Sequence, residues 1–565
     1  MSVNIAGVVS VAIFYLLILA VGIFAAKKAS KIEGACEGNR TEMAMIAGRK
    51  MGIVLGILTT TATWVGGAYI NGTAEMVYRP DAGLVWTVAP WTTLLCMLIS
   101  ALFFAKKMRS QEYVTMLDPF QQRYGTRIAS LLFVPAVISE IFWTAAILAA
   151  LGTTSSVILG LDKNLSVVIS SSVAMIYTLL GGLYSVAYTD VVQLGCIFIG
   201  LWLCVPFTLL NDAVTSIRVT AVKEVYQKPW IGKIDEKFIG QWIDHLLLMV
   251  RGRAFSHFIP KLWNTLSQSL HLVHSLPSFK SRLKTVLFDS VLGGIPWQVY
   301  FQRVLASSSA KDAQILSIVG AFGSCIMGIP SVLIGSIAAS TDWNQTSFGL
   351  PSPFERNEAA MILPIVLQYL CPPYISVFGI GAIAASVMSS TDSSLLSSSS
   401  MFTHNIYRKI FRAKASEKEI LYVMRAAVVV VATLSTILSL CTSTIYGLYA
   451  LSSDIVYVVL FPQLVCVLYV PCVTRFGFVT GILTGALLRL AGGEPLFHFP
   501  AVILYPGGYF HDNDYVQIFP FKTFAMLCSL IVTVTLSYVS KLKYPRTPVI
   551  AFNLIERESE RRDTD

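Results

Sequence analysis

Charged residues are scarce in this sequence. Only 13% of its 565 residues are Asp, Glu, Lys or Arg, whereas 55% are hydrophobic and the mean hydropathy is +0.67. Soluble proteins usually carry about 25% charged residues, so this shortage excludes an ordinary soluble enzyme. A bundle of apolar helices, at roughly 20 residues per membrane span, explains both the length and the composition. The sequence is therefore that of a protein embedded in a lipid bilayer.

Catalytic and metal-binding signatures are also missing. The sequence has no Walker loop, HExxH motif or nucleophile elbow, and its ten cysteines show no CxxC spacing. Most of these cysteines lie in apolar runs, where small buried side chains are more typical than metal ligands or disulfides. The net charge of +10 comes from short loops between apolar runs, which indicates membrane orientation and argues against nucleic-acid binding. We expect no catalytic residue, no cofactor and no metal beyond a coupling ion. A membrane-embedded enzyme is an unfavoured alternative.

Apolar runs recur along the chain and predict thirteen spans within residues 1–545. The spans are expected near 6–26, 50–75, 83–105, 127–152, 164–183, 191–211, 240–250 with 291–302, 315–338, 360–388, 421–441, 445–470, 474–491 and 521–540. Lys and Arg concentrate in three loops on one side, which we predict to be cytoplasmic; these loops are 27–50, 106–127 and 408–418. The N-terminus then lies outside, and the short tail 546–565 lies in the cytoplasm. The basic loop 212–238 argues weakly against this orientation. Asn344 begins an Asn-Gln-Thr sequon on an outside loop and is the predicted glycosylation site.

Two apolar stretches contain residues that interrupt helices. The stretch 59–72 reads TTTATWVGGAYING, and 292–296 reads LGGIP. Unwound helices at membrane depth are tolerated where they line a cavity, and paired interruptions are typical of transporter binding sites. Close helix packing through small residues is the alternative. Because each stretch lies beside a Trp, we favour a binding site.

A longer motif points to a family. Residues 181–193 read GGLYSVAYTDVVQ, which resembles the diagnostic segment of the sodium:solute symporter family. Five further segments resemble the choline-transporting members of that family: ATWVGGAYINGTAE (62–75), YVTMLDPFQQRYG (113–125), GGIPWQVYFQRVL (293–305), TDWNQT (341–346) and ILPIVLQYLCP (362–372). The resemblance implies an all-α polytopic fold, with a LeuT-type core of two inverted five-helix repeats and extra helices at both ends.

The resemblance also implies a function. Members of this group take up choline with high affinity across the plasma membrane, and their transport depends on sodium and chloride. They are found at presynaptic terminals and on synaptic vesicles of cholinergic neurons. The choline supplies acetylcholine synthesis. A symporter of the same family for a sugar, inositol or another small organic solute is the alternative, and homo-oligomerisation is left open. No residue in the sequence indicates where chloride would bind.

Three tryptophans are candidates for a choline site. Choline has a quaternary ammonium head without N–H donors, so aromatic ring faces are the groups suited to bind it. Trp64 lies in the interrupted stretch, Trp143 in the run FWTAAI, and Trp297 directly after GGIP. By resemblance they match aromatic positions around the family's choline site. Tryptophans at the lipid interface are the structural alternative.

A cation site is expected in the serine-rich run ASVMSSTDSSLLSSSS (385–400). Ser386, Ser389 and Ser390 have the i, i+3, i+4 spacing that places them on one helix face. The resemblance implies that sodium binds these hydroxyls and the carbonyl oxygens of Ala62 and Val65. The alternative is that the serines bond to carbonyls of their own helix.

Three carboxylates lie within or beside predicted spans, where a charge costs at least about 2.5 kcal/mol. Asp392 is assigned to the sodium site, with a position in water at a helix end as the alternative. Asp190 and Glu140 are interpreted as gate or structural residues.

Residues 250–291 do not match the family pattern that the sequence follows on both sides of them. The family pattern runs from LLLM (246–249) almost directly into 292–298, whereas here a segment with six Lys or Arg and one acid intervenes. Burying those cations in a span is prohibitive. We interpret this atypical insertion as a retained intron or a gene-prediction error.

Overall fold

The computed structural model describes most of the chain between Leu16 and Lys543. The described residues are 16–18, 20–25, 27, 40–87, 89–159, 162–180, 182–233, 294–442, 445–497, 499–506, 509–511, 514–516, 519 and 521–543. The insertion 250–291 and the tail 546–565 lie outside the described residues, so both interpretations stay predictions.

The described chain is almost entirely helical. In chain order the helices are α1 (Leu16–Ala25), α2 (Arg40–Ile46), α3 (Ile53–Trp64), α4 (Gly67–Tyr78), α5 (Ala89–Ile99), α6 (Lys106–Ser110), α7 (Asp118–Tyr124), α8 (Thr126–Ala129), α9 (Phe133–Leu159), α10 (Lys163–Leu180), α11 (Leu183–Leu209), α12 (Ile217–Thr220), α13 (Gln298–Ala306), α14 (Ala310–Ala339), α15 (Ile362–Tyr369), α16 (Pro373–Met401), α17 (Glu417–Cys441), α18 (Ile445–Ile455), α19 (Phe461–Tyr469), α20 (Arg475–Ala491) and α21 (Phe521–Lys543). Three π-helical segments continue α5, α16 and α18: Ser100–Ala105, Phe402–Phe411 and Val456–Leu460. A small antiparallel hairpin, β1 (Tyr509–His511) and β2 (Asp514–Val516), precedes α21.

Eight helical stretches among the described residues are long and apolar enough to cross a membrane. The pair α3 and α4 adds a ninth if it is counted as one span, bent by 52°. The count of thirteen stays a prediction, because part of the chain lies outside the described residues. In addition, the apolar part of α10 is shorter than a full span, and α20 is not among the helices that are long and apolar enough. The protein is a multi-pass membrane protein.

The expected interruption of the second span is confirmed. Helix α3 ends at Trp64, and α4 begins at Gly67 after the extended residue Gly66. A Cβ atom at Gly66 would overlap the Ser390 hydroxyl, and one at Gly67 would overlap Val387. Glycine is thus needed because α16 lies directly against the break.

The predicted ninth span, 360–388, is wrong. The structure has a short helix, α15, and then a separate long helix, α16, which continues through the π segment as far as Phe411. Pro372 and Pro373 explain the division, because proline is favoured in the first turn of a helix and disfavoured in its interior. The whole serine-rich run therefore lies inside α16.

Helix α16 forms the centre of the bundle. It packs along α11 on one side and α9 on another, and it also contacts α3 and α4 at the break. All residues from Ala382 to Met401 in it are buried. This stretch of α16 is therefore surrounded by protein and not by lipid.

Helices α20 and α21 form a close pair at the edge of the bundle. Gly477, Gly481 and Gly485 recur every four residues along α20, and Cβ atoms there would meet α21 at Ser537, Thr533 and Ser529, respectively. The two backbones approach closely because these positions have no side chain.

Candidate substrate and cation site

Two of the three candidate tryptophans contact each other. The rings of Trp143, in α9, and Trp297, directly before α13, have centroids 5.0 Å apart in an edge-to-face arrangement. Both are buried, with 8% and 6% exposure. They share an apolar cluster with Val387 of α16, the residue that packs against Gly67. The cluster therefore lies beside the helix break.

Tyr449 is a third aromatic residue of this cluster. Its ring centroid is 5.3 Å from that of Trp143. The position of α18, which carries Tyr449, is fixed by a hydrogen bond of 2.6 Å from the Ser139 hydroxyl to the Ser452 carbonyl. Tyr449 was not predicted as a site residue, because an ordinary apolar run surrounds it and Trp143 is about 300 positions away in the sequence.

Trp64 lies at the end of α3 and contacts a different ring. Its centroid is 6.4 Å from that of Tyr300, one turn beyond Trp297. Trp64 is half-buried, and its indole N–H has no hydrogen-bond partner among the described residues. Trp143 and Trp297 are thus in direct contact, whereas Trp64 contacts the first turn of α13 through Tyr300.

Ser390 is the candidate cation ligand that lies closest to the break. Its hydroxyl donates to the Thr63 carbonyl oxygen at 3.3 Å and adjoins Gly66. Ala62 and Val65 are fully buried, and Val65 leaves the helical conformation with ψ of 60°. Carbonyl oxygens freed by an unwound helix and a facing hydroxyl are the kind of hard oxygen ligands that suit sodium.

The other residues assigned to the sodium site have different partners. The Ser386 hydroxyl donates to the Ile383 carbonyl of its own helix at 2.9 Å, which agrees with the structural alternative for this residue. Asp392 is fully buried, so it is not at a solvated helix end. The Ser393 hydroxyl donates to Asp392 at 3.4 Å.

Ser389 contacts Asp190 instead of the break. Its hydroxyl donates to the Asp190 carboxylate at 2.5 Å, and the Thr59 hydroxyl donates to the same carboxylate. The Arg303 guanidinium lies 3.4 Å from Asp190 and donates to Ser393 at 2.5 Å. Asp190 and Arg303 are both fully inaccessible to solvent.

This buried polar cluster joins four helices: α3, α11, α13 and α16. Asp190 lies two turns inside α11, so it does not cap that helix. Thr59 and Arg303 were not predicted as members of this cluster. A signal for Arg303 was present, because an Arg within the buried run QVYFQRVLA needs an anionic partner.

Glu140 of α9 also contacts α16. Its carboxylate accepts hydrogen bonds from Ser394 at 2.5 Å and from Ser397 at 3.1 Å. Glu140 is 2% exposed, and it lies almost one turn before Trp143.

A group of polar contacts joins α7 to the π segment that follows α16. Asp118 accepts hydrogen bonds from Lys409 at 2.7 Å and Asn405 at 2.9 Å. Burial alone would raise the pKa of Asp118, but its contacts with His404 and Lys409 hold that pKa well below its usual range. Asn344 is exposed, in a loop after α14.

Comparison with known proteins identifies the family. Residues 45–485 match the family model described as "Sodium:solute symporter family". The chain belongs to the sodium:solute symporter family. The resemblance inferred from the motifs is confirmed, and the protein is a sodium-coupled symporter by family.

Several choline transporters are similar to this chain over most of its length. The chain is 54% identical to the high-affinity choline transporter 1 of Torpedo marmorata, over 96% of this chain and 86% of the relative. It is 52% identical to the human high affinity choline transporter 1 over the same shares. The Drosophila melanogaster protein of that name is 47% identical, over 96% and 79%.

A solved structure supports the fold. The substrate-bound, outward-open state of a Na+-coupled sialic acid symporter matches with a TM-score of 0.66 at 17% identity, over 94% of this chain and 97% of that one. The likeness confirms the all-α polytopic fold with a LeuT-type core.

Proposed function

We propose that this symporter carries choline into the cell together with sodium, depends on chloride, and supplies choline for acetylcholine synthesis. The observation that carries the proposal is the buried contact of Trp143 and Trp297 beside the helix break. The names of the relatives at 46–54% identity also support choline. Localisation at the plasma membrane of cholinergic nerve endings, including synaptic vesicles, and the outside position of the N-terminus belong to the same proposal.

Trp64, Trp143 and Trp297 surround the ammonium head of choline in this proposal. Each ring face contributes about 0.5–2 kcal/mol, because the cation interacts with the negative face of the aromatic quadrupole. Sodium binding favours the outward-open state, choline then enters, and rocking of one helix bundle against the other opens the site inward.

The proposed sodium site uses the carbonyl oxygens of Ala62 and Val65 together with the hydroxyl of Ser390. These residues are supported by their position at the helix break, where Ser390 adjoins the end of α3. Ser386, Ser389 and Asp392 complete the set by resemblance. We expect Ser390→Ala to raise the sodium concentration needed for half-maximal uptake. Ser399→Ala is the matched control, because Ser399 lies on the same helix but donates only to its own helix carbonyl at Leu396.

Labelled choline uptake tests the function. Cells expressing the chain are assayed in sodium, in sodium-free and in chloride-free buffer, with surface protein measured in parallel. Trp143→Leu and Trp297→Leu are each expected to raise the KM for choline by about 2- to 30-fold. Trp91→Leu is the control and should leave the KM unchanged, because Trp91 is half-exposed and does not belong to the apolar cluster of Trp143 and Trp297. No choline uptake by a surface-expressed protein would direct the search to another solute, such as a sugar.

A version that lacks residues 250–291 runs beside the full chain. Uptake by both would identify the segment as a tolerated loop. Uptake by the shortened form alone would support the interpretation as an artefact of gene prediction. Continuous reads through these codons in mature transcripts would contradict that interpretation.

A further inference from the structure

Gln193 of α11 has a buried amide group that pairs with nothing in the described part of the chain. The side chain is fully inaccessible to solvent, and neither Oε1 nor Nε2 forms a hydrogen bond with any described residue. An unpaired buried amide is costly, because it loses its hydrogen bonds to water without replacement. An apolar side chain of the same size would avoid that cost, so helix packing alone does not explain the glutamine.

The contacts between α11 and α16 show which residue lies opposite Gln193. Three contacts fix the register of these antiparallel helices: Asp190 with Ser389, Gly200 with Phe378 and Ala382, and Cys204 with Ile375. Both helices cover the same number of residues between the first and the last contact, so the register is constant. Gln193 comes three residues after Asp190 and therefore lies at the level of Ser386, three residues before Ser389.

Helix α3 reaches the same level from another side. The Thr59 hydroxyl donates to Asp190, and almost one turn later Ala62 shares an apolar cluster with Leu194 of α11. The two helices therefore run in the same direction here. Gln193 and Asp190 have the i, i+3 spacing of one helix face, and both are buried. The amide of Gln193 thus lies between α3 and α16, at the level of Ala62.

This level is that of the proposed sodium ligands. The Ser386 hydroxyl donates its proton to the Ile383 carbonyl at 2.9 Å, so the lone pairs of its oxygen remain acceptors. The amide oxygen of a glutamine is a hard, neutral ligand of the kind that binds alkali and alkaline-earth cations beside backbone carbonyls. An unpaired oxygen of this type is therefore placed next to a site that needs oxygen ligands.

We propose that Gln193 is a sodium ligand, whose Oε1 atom binds the ion together with the Ala62 carbonyl and the Ser386 hydroxyl. Helix α11 then joins α3 and α16 in holding the ion, and the ion is the partner that the buried amide oxygen lacks within the chain. This inference rests on the proposed function, because it assigns a further ligand to the sodium site of that mechanism.

The first test is Gln193→Leu, which keeps the approximate volume and removes both polar atoms. The sodium concentration for half-maximal choline uptake should rise about tenfold or more, because one oxygen contact to a charged partner is lost. The KM for choline at saturating sodium should change less than about twofold, since the lost group does not contact choline. Thr208→Val is the matched control: Thr208 is buried on α11, its hydroxyl donates only to carbonyls of that helix, and the sodium requirement should stay unchanged.

A binding measurement without choline separates a sodium ligand from a packing residue. An ion that binds only the folded protein raises its melting temperature. The purified protein is therefore melted in sodium and in N-methyl-D-glucamine buffer of equal ionic strength. Gln193→Leu should be as stable as the wild type without sodium, because removal of unpaired polar atoms is neutral or stabilising, and it should lose most of the rise that sodium causes. An undiminished rise would overturn the inference.

Two further variants keep the inference falsifiable. Gln193→Glu keeps an oxygen at the same reach, whether charged or protonated, and should hold the sodium requirement within about threefold of the wild type. An equal loss in Gln193→Glu and Gln193→Leu would assign the residue a structural role and overturn the inference. If Gln193→Leu does not reach the surface, Gln193→Asn replaces it, because it keeps the amide and withdraws the oxygen by about 1.5 Å. A wild-type sodium requirement in Gln193→Asn would then contradict the assignment.

The outcomes separate this inference from the proposed function. If the wild type carries no choline, but sodium stabilises it and fails to stabilise Gln193→Leu, the function is refuted and the ligand assignment holds. Wild-type uptake with an unchanged sodium requirement in Gln193→Leu would refute only the ligand assignment. A raised KM for choline with an unchanged sodium requirement would place Gln193 at the substrate and would also overturn the inference.

Discussion

Replacing Gly66 by alanine should disturb the packing of the helix break against α16. The substitution adds one methyl group and leaves every candidate ligand of the site in place. The added Cβ would overlap the Ser390 hydroxyl and lie 3.1 Å from the Ser390 Cβ, inside a fully packed region. Overpacking of this kind costs about 1–3 kcal/mol. The backbone at Gly66 is extended, with φ of −82°, so alanine fits the conformation and the penalty is purely steric.

The matched control is Gly72→Ala on the adjoining helix α4. A Cβ there meets nothing within 4 Å. Alanine in place of glycine inside a helix stabilises it by about 0.5–1 kcal/mol. The two variants add the same methyl group to the same apolar stretch and differ only in what that group touches.

Two measurements follow. The apparent melting temperature of the detergent-solubilised protein should fall for Gly66→Ala and hold or rise for Gly72→Ala. The sodium concentration for half-maximal choline uptake should rise only for Gly66→Ala, because α3–α4 is displaced from Ser390. Equal melting temperatures and equal sodium dependence in both variants would refute the packing of α16 against the break.

Three other expectations can be checked. Asp190→Asn or Arg303→Gln each leaves a buried partner without its counter-charge, which costs about 3–5 kcal/mol; the double variant should lose less than the sum, as measured by melting temperature, and strict additivity would exclude a direct pair. Asn344→Gln should abolish the mobility shift caused by glycosidase treatment, whereas a shift that persists would place the glycan elsewhere. The pKa of Asp118 is lowered, so its stabilising contribution is present above its unfolded value of about 3.9 and is lost only as pH falls through the lower folded value. Asp118→Asn should therefore reduce the melting temperature at pH 5 as well as at pH 7, because the carboxylate is ionised at both, and an unchanged melting temperature at pH 5 would contradict this.

Local patterns in the sequence predicted the break and the helical nature of the fold. The glycines that follow Trp64 predicted a broken span, and the structure confirms the break. The physical reason is that Gly66 and Gly67 lie directly against α16. The boundaries of the span 360–388 failed for an equally local reason. Hydropathy falls along the serine-rich run, whereas burial by protein keeps that run helical, and the helix continues through the π segment to Phe411.

Long-range contacts were beyond the reach of sequence patterns. Thr59, Asp190 and Arg303 are separated by more than 100 positions, and only the packing of four helices brings them together. Tyr449 joins Trp143 for the same reason. Serines on one face of α16 were predicted as one group, but their partners divide them: Ser390 faces the break, Ser389 faces Asp190, and Ser386 bonds to its own helix.

The glycine ladder between α20 and α21 has a consequence for biogenesis. Lipid offers no hydrophobic drive for two inserted helices to associate, so pairing depends on how closely their surfaces fit. Gly477, Gly481 and Gly485 supply that fit within the pair α20 and α21, against Ser537, Thr533 and Ser529. These two helices can therefore pair with each other during membrane insertion, before they pack against the rest of the bundle.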